Sequence, residues 1–241
     1  MKRTLIAGLC LTMLATAAYA QTDPSPAELA AVTPVIEAIN AAVAADKALP
    51  PAASTRERLE RLGRIDQAGR MQLSKINTRG LSPDQIKNAM VAMGRRMDEV
   101  DHAVHTELLT LIPTEGWFSI SAYGEEAAEA AFHIVNHGDV ATMKRFLPAI
   151  EAMAAKGEAD GVSVMKMSDR IAMNEGRPQR YGTQITCING RYESWPLEDP
   201  ARVDEWRRAM KEGETYADFI AQVLPRARQM PCPPGRSGPP R

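Results

Sequence analysis

The densest group of side chains able to do chemistry lies at residues 179–184, Gln-Arg-Tyr-Gly-Thr-Gln, here called the Tyr181 box. Five of its six side chains can form hydrogen bonds, and Gly182 lets the backbone turn or approach another group closely. The box follows a helical pattern that carries Asp169 and Arg170. This concentration of polar groups predicts a binding or catalytic site, although it identifies no particular reaction.

An aspartate interrupts the apolar stripe of an earlier helical pattern. Asp66 lies on the face formed by Leu59 and Leu62, with Gln67 beside it and Arg70 four residues later. On a surface, an Asp–Arg pair at this spacing contributes about 0.2–0.5 kcal/mol. Alternatively, Asp66 points inward, where a charge persists only if it is paired and hydrogen-bonded. Both interpretations stay open on the sequence alone.

Two sets of residues have the spacing of one helix face and the chemistry of metal ligands, since carboxylates and imidazoles bind Zn²⁺ and other divalent ions. The first set is Asp98, Asp101, His102 and His105, and the second is His133 and His137. Spacing indicates no further ligand for the first set. The second lacks the Glu of a His-Glu-x-x-His zinc-protease motif. Solvated or helix-end histidines are the simpler interpretation, and we expect no metal ion or other cofactor.

The N-terminus has the layout of a secretory leader. Lys2 and Arg3 precede an apolar run, and Ala-Tyr-Ala at 18–20 is a small-residue cleavage signal. The run is shorter than the roughly 20 apolar residues that span a bilayer, and no later segment is expected to be long enough. The sequence predicts a secreted, periplasmic protein without membrane insertion after cleavage. Cys10, inside the run, leaves a lipoprotein as the alternative.

Cysteine usage agrees with export. Cys187 and Cys232 remain after removal of the leader, and in an oxidising compartment an even pair predicts a disulfide. A metal or redox pair is the alternative, but the spacing is far from Cys-x-x-Cys. The charge balance excludes another class of partner. Without residues 1–20 the chain has 27 basic and 30 acidic residues, so no binding to nucleic acid is expected.

Helical periodicity dominates the chain, which predicts a mainly α fold made of a multi-helix domain and a small β-hairpin. Asn189-Gly190 is the strongest two-residue hairpin signal, and β-branched and aromatic residues flank it. Residues 115–124 are predicted to form a loop, and the helix that carries Leu59 is expected to extend to Ile76. The predicted organisation is a signal peptide at 1–20, an Ala/Pro-rich helical extension at 21–53, a helical domain at 54–224 with a hairpin at 182–196, and a Pro/Arg-rich tail at 225–241, disordered apart from Cys232.

Several separated elements between Leu59 and Trp195 resemble those of a bacterial family known only as domain of unknown function family 6624. The elements are Asp66-Gln67-x-x-Arg70, Asp101, Gly116-Trp117, Gly124, Asn136-His137, Asp169-Arg170 and Gln179-x-Tyr181-Gly182-Thr183-Gln184. Phe118 stands where Pro is usual, and Asn136 stands where Gln is usual. The last element is the specific one; the others agree with it in order and spacing.

The resemblance implies a shared set of polar residues but no activity. The set is Asp66, Arg70, Asp101, His137, Asp169, Arg170, Gln179, Tyr181 and Gln184. His102, His105 and His133 lie outside the family pattern. Their absence from it weakens both metal hypotheses, since each requires at least one of these histidines.

Three functions are compatible with this set. The first is a non-enzymatic module whose polar cleft binds a small anionic ligand, a peptide or an envelope component. Its expected binding residues are Arg70, Arg170, Gln179, Tyr181, Thr183 and Gln184, with the arginines gripping a carboxylate or phosphate. The second is a hydrolase or transferase with acid–base chemistry. Its candidate catalytic residues are Asp66, Asp101, His137 and Asp169. The third is a structural polar network, with function on a protein-interaction surface.

Overall fold

The computed structural model describes residues 23–211, 213–229 and 232. The predicted leader at 1–20 and the tail after Cys232 lie outside these ranges. Within them the chain forms nine α-helices and one two-stranded antiparallel sheet, which confirms the predicted fold class. The elements are α1 (Pro26–Lys47), α2 (Thr55–Arg70), α3 (Pro83–Leu111), α4 (Ile120–Tyr123), α5 (Glu125–Asn136), α6 (Val140–Ala155), α7 (Gly161–Asn174), β1 (Ile185–Ile188), β2 (Arg191–Ser194), α8 (Val203–Ala209) and α9 (Tyr216–Ala227).

Side-chain caps fix where the longer helices begin. Ser82 accepts a hydrogen bond from the backbone N–H of Gln85, and the Gln85 side chain accepts one from the backbone N–H of Ser82, which forms a complete capping box before α3. Asp139 caps α6, and Asp160 caps α7. Each cap satisfies N–H groups that have no partner inside the helix. These local signals explain why the helix starts were readable from the sequence.

The main core contains buried residues of α2, α3, α5, α6 and α7, with α1 packed against α2 and α3. Leu59, Leu62 and Leu108 are fully buried there. Helix α1 contributes Val35 and Ile39 to the same core, so the segment predicted as an extension is packed onto the domain. Helix α1 is also long and apolar enough to cross a membrane by length and composition. The expectation that no segment after the leader has this length is therefore wrong.

Three boundaries differ from the sequence prediction. Helix α2 ends at Arg70, and a 3₁₀ turn at Leu73–Lys75 follows, so Leu73 and Ile76 belong to a turn instead of the helix. The predicted loop at 115–124 contains the short helix α4. Helix α9 continues through Pro225 to Ala227, so the first residues of the predicted tail are helical. Proline has a helical φ, but Pro225 cannot donate to the carbonyl of Ala221, so the last turn of α9 lacks one backbone hydrogen bond.

The hairpin and the disulfide are confirmed. β1 pairs with β2 in register Ile185–Ser194, and Asn189 and Gly190 both have positive φ, as a two-residue type I′ turn requires. Cys187 of β1 is bonded to Cys232, with the Cα atoms 5.5 Å apart. The chain after α9 is thereby tied to the strand that follows the Tyr181 box.

The contact between α2 and α5 supplies a test of the packing. A Cβ added at Gly63 would lie 2.5 Å from Cβ of Ala130, whereas one added at Gly94 in α3 would meet no atom within 4 Å. Gly63→Ala should therefore lower the free energy of unfolding by about 1–3 kcal/mol through overpacking. Gly94→Ala is the matched control and should raise it by roughly 0.5–1 kcal/mol. Urea unfolding of both variants measures the difference, and equal effects would contradict the packing described.

Candidate functional site

A buried carboxylate holds the Tyr181 box against α7. Asp169 has no exposed surface and accepts hydrogen bonds from four donors of the box. They are the backbone N–H groups of Arg180 at 2.8 Å, Tyr181 at 3.0 Å and Thr183 at 2.9 Å, and the hydroxyl of Thr183 at 2.9 Å. Burial raises the pKa of Asp169, and these hydrogen bonds oppose the rise. Asp169 is therefore an anchor for the loop, enclosed by the groups that it fixes.

Gln179 closes the box onto the hairpin. Its side-chain oxygen accepts from the backbone N–H of Gln184 at 2.7 Å, and its amide nitrogen donates to the carbonyl of Trp195 at 2.7 Å. Gln179 is fully buried. Gly182 has a φ of 76°, and a Cβ there would lie 2.3 Å from the ring of Tyr216. The glycine is thus required by both its backbone conformation and its neighbour on α9.

Tyr181 faces a different side of the box. Its backbone carbonyl accepts a hydrogen bond from the buried guanidinium of Arg207 at 3.1 Å. The residue lines a separate cleft of about 610 Å³ together with Glu151 and Lys211. Burial raises the pKa of the Tyr181 phenol. The polar side chains of the box therefore do not all line the same cleft.

A second polar cluster joins α2, α3 and the end of α5. Both oxygens of the Asp66 carboxylate lie 3.0 Å from Nδ1 of His137. Arg70 lies 3.3 Å from Asp66 and donates two hydrogen bonds to Asp101, at 3.0 and 2.7 Å. Gln67 donates to Asp66 at 2.7 Å. The inward interpretation of Asp66 is therefore correct, since its side chain has no exposed surface.

The electrostatics of this cluster keep Asp66 charged. Burial alone would raise the pKa of the Asp66 carboxyl, but the hydrogen bond from His137 and the charges of His137 and Arg70 hold it below its usual value. The side chains of Arg70, Asp101 and His137 keep only 14–21 % of their surface exposed. The arrangement is a largely closed network, which suits the connection of three helices better than the approach of a substrate.

The histidines form no metal centre within the part of the chain that the structure describes. His133 stacks on His137, with ring centroids 5.9 Å apart, and burial lowers the pKa of His133. His102 is exposed, and Nε2 of His105 is buried with no partner among the described residues. No group of three or more His, Cys, Asp or Glu residues able to hold a metal ion was found in those ranges.

Part of the predicted binding set does line one open cleft, of about 640 Å³, between α7, the box, the turn after α2 and α9. This cleft is here called the basic cleft. Arg170, Thr183 and Gln184 lie on its wall. Lys166 and Arg226 add two further positive charges. Among the described residues that line it, none is acidic.

In another large cleft, the arginines are paired with carboxylates. It measures about 530 Å³ and is lined by Asp46, Lys47, Arg58, Arg61 and Glu107. Arg58 donates to Asp46 at 2.8 Å and to Glu107 at 2.5 and 2.7 Å. Arg61 donates to Glu57 in the same region. These arginines are neutralised by carboxylates, so this cleft offers much less attraction to an anion than the basic cleft.

The structure thus distributes the predicted residues over three places. Asp66, Arg70, Asp101 and His137 form the helix-joining network, and Asp169 and Gln179 hold the box. Of the expected binding residues, Arg170, Thr183 and Gln184 reach the basic cleft, whereas Tyr181 faces another one. None of the four candidate catalytic residues lines the described wall of the basic cleft.

Sequence reasoning missed most residues of the basic cleft, among them Asn136, Lys166 and Arg226. Lys166 was detectable, because it lies four residues before Arg170 and so shares its helix face. Asn136 is the last residue of α5, beside His137, and was considered only as part of a motif. Arg226 belongs to the segment predicted to be a disordered tail. No local sequence pattern indicated that it lies in a helix that lines the cleft.

The anchoring role of Asp169 predicts the effect of Asp169→Asn. The amide nitrogen would face N–H donors and leave at least one of them without an acceptor, so the free energy of unfolding should fall by about 2–4 kcal/mol. Asp98→Asn, at an exposed position of α3, is the matched control and should change it by less than about 0.5 kcal/mol. Denaturant unfolding gives both values. An Asp169→Asn protein as stable as the control would show that the carboxylate does not hold the box.

The chain was compared with family models, curated proteins and solved structures. No curated protein and no solved structure matched significantly. A family model described as "Family of unknown function (DUF6624)" matches residues 55–223. The matched region runs from the start of α2 into α9 and includes the box, both polar networks and most of the basic cleft. The chain therefore belongs to the DUF6624 family of unknown function.

Proposed function

We propose that this protein is an exported helical domain that binds a small anionic ligand in the basic cleft. One observation carries the proposal: Lys166, Arg170 and Arg226 converge on a single open cleft whose described lining contains no acidic residue. An anion there would interact favourably with the positive charges of these side chains. Lys166 and Arg170 are partly buried, which weakens the screening of their charges by water and salt, whereas Arg226 is exposed.

The basic side chains of the cleft suit recognition of a carboxylate or phosphate. Arginine presents a planar fork of donors to such a group, and lysine adds a compact charge. Thr183 lies beside them, with its hydroxyl directed to Asp169, and the Gln184 amide donates to the carbonyl of Lys166 at 3.2 Å. These bonds hold the two residues in place before any ligand arrives. Such a site is preorganised, which reduces the entropy lost on binding.

Export to a bacterial periplasm is part of the proposal. It is supported by the leader pattern at 1–20 and by the Cys187–Cys232 disulfide, because disulfides persist in oxidising compartments. In that location a metabolite, a peptide or an envelope fragment is a fitting ligand. We expect no nucleic-acid partner and no membrane insertion after the leader is removed.

A hydrolase or transferase is the second candidate. The observation in its favour is the Asp66–His137 pair, since a carboxylate bound to Nδ1 fixes the tautomer of an imidazole base. His137 is also the neighbour of Asn136 on the cleft wall. Turnover of a bound ligand by the wild type and its loss in His137→Gln would support catalysis. Binding without turnover would contradict catalysis and would assign only a structural role to the network of Asp66, Arg70, Asp101 and His137.

Removal of two of the three cleft cations, Lys166 and Arg226, tests the binding proposal. Hexanoate and phenyl phosphate should bind the wild type in calorimetric titrations, and neutral hexanamide should bind much more weakly. Lys166→Ala/Arg226→Ala should weaken binding of both anions by at least about tenfold, because each lost charge removes a charge-assisted interaction. Lys87→Ala/Arg95→Ala removes two exposed charges from α3 and is the matched control.

The two double variants have the same net charge, so they separate local binding from general attraction. Equal affinities of the two variants for hexanoate and phenyl phosphate would overturn the proposal. So would equal binding of hexanoate and hexanamide by the wild type. High salt should weaken anion binding in the wild type and affect the cleft variant less.

A further inference from the structure

This inference rests on the binding function proposed above. The side of α9 that lines the basic cleft indicates the chemistry of the part of the ligand beyond its anionic group. Phe219, Val223 and Ala227 follow one another at four-residue spacing along the basic cleft. Only Ala227 is buried, whereas Phe219 and Val223 are half-buried. Helix α9 packs on β2 and α8. Its cleft side therefore keeps apolar surface partly in contact with water.

A second set of apolar residues lines the same cleft. Leu73 and Ile76, from the turn after α2, and Ile185, from the start of β1, also line the cleft. All three are half-buried. The positive charges come mainly from one element, since Lys166 and Arg170 lie on α7 and Arg226 lies at the end of α9. The cleft thus combines a cationic region with two apolar walls.

Charge decides between possible occupants of this groove. The C-terminal residues 233–241 contain two arginines and no acid, so they do not complement a basic cleft. A second copy of the chain that docked through the same cleft would bring the same three cations to the contact. A neutral apolar molecule would cover the walls but leave the cations without a counter-charge. An amphiphilic anion satisfies both parts.

We propose that the basic cleft takes a small amphiphilic acid, with its anionic head on Lys166, Arg170 and Arg226 and its hydrocarbon chain between α9 and the turn at 73–76. The volume of about 640 Å³ is that of a site for a drug-sized ligand. Each methylene that leaves water between the two walls adds affinity, up to about fourfold. Inorganic phosphate and acetate, which lack the chain, bind weakly.

Titration of the oxidised full chain with butanoate, hexanoate, octanoate and decanoate tests this ligand class. Affinity should rise with chain length by about two- to fourfold per methylene and level off once the cleft is filled. Octylamine has the same chain with the opposite charge and should not bind measurably. Analytical ultracentrifugation at the same concentrations should show no oligomer that depends on the cleft.

A pair of variants on α9 assigns the chain-length effect to the apolar wall. Val223→Ser makes the cleft face more polar, so it should reduce the ratio of octanoate to butanoate affinity by about threefold or more, because octanoate covers more of this wall than butanoate does. Ala221→Ser, at an exposed position of the same helix, is the matched control and should keep the wild-type ratio. Both substitutions are small and lie in a part of α9 that has no core residue, so folding should be preserved.

The outcomes separate the two proposals. If all four acids bind with equal affinity, the amphiphile inference is wrong, and the anion site stands. If octylamine binds as well as octanoate, charge does not select the ligand, and the proposed function fails with it. If Val223→Ser and Ala221→Ser give the same ratio, the chain does not lie on α9. An oligomer that dissociates when octanoate is added would identify a second copy as the occupant and overturn the inference.

Discussion

The structure of the site depends on one buried carboxylate. Asp169 lies inside α7 between Lys166 and Arg170 in sequence, and its oxygens accept hydrogen bonds from three backbone N–H groups and one hydroxyl of the Tyr181 box. A charge at this depth is tolerated because so many donors surround it. The same bonds bring Thr183 and Gln184 beside the two cations of α7. Without this anchor, the box and the helix would not form a common wall.

The other wall depends on a separate network and on a covalent bond. The Asp66–His137 contact holds the C-terminal ends of α2 and α5 together, and the Arg70–Asp101 contact joins α2 to α3. The turn with Leu73 and Ile76 starts just after this point. On the far side, the Tyr216 hydroxyl donates to Ser194 of β2 at 2.9 Å, and the Cys187–Cys232 disulfide ties down the chain that follows α9. The two polar networks therefore position the cleft, although neither provides most of its surface.

The fold was largely readable from the sequence, because its signals are local. Capping residues such as Ser82 and the Asn189-Gly190 turn act within a few residues, so the pattern contains the information that fixes them. The candidate site was readable only in part. The partners of Asp169 are mainly backbone N–H groups, which no side-chain pattern reveals. Arg226 reaches the cleft through a helix that includes Pro225, and that contact depends on tertiary packing around the disulfide.

The central claim is that an amphiphilic anion binds where α7, the box and α9 meet. The most direct measurement is a two-dimensional NMR titration of the isotope-labelled, oxidised protein with octanoate, followed through assigned backbone amide resonances. We expect the largest shifts at Lys166, Arg170, Thr183, Gln184 and Val223. Little change is expected around Arg58 and Glu107, in the cleft whose arginines are paired with carboxylates. Shifts centred on Arg58 and Glu107, or no saturable shifts anywhere, would contradict the claim.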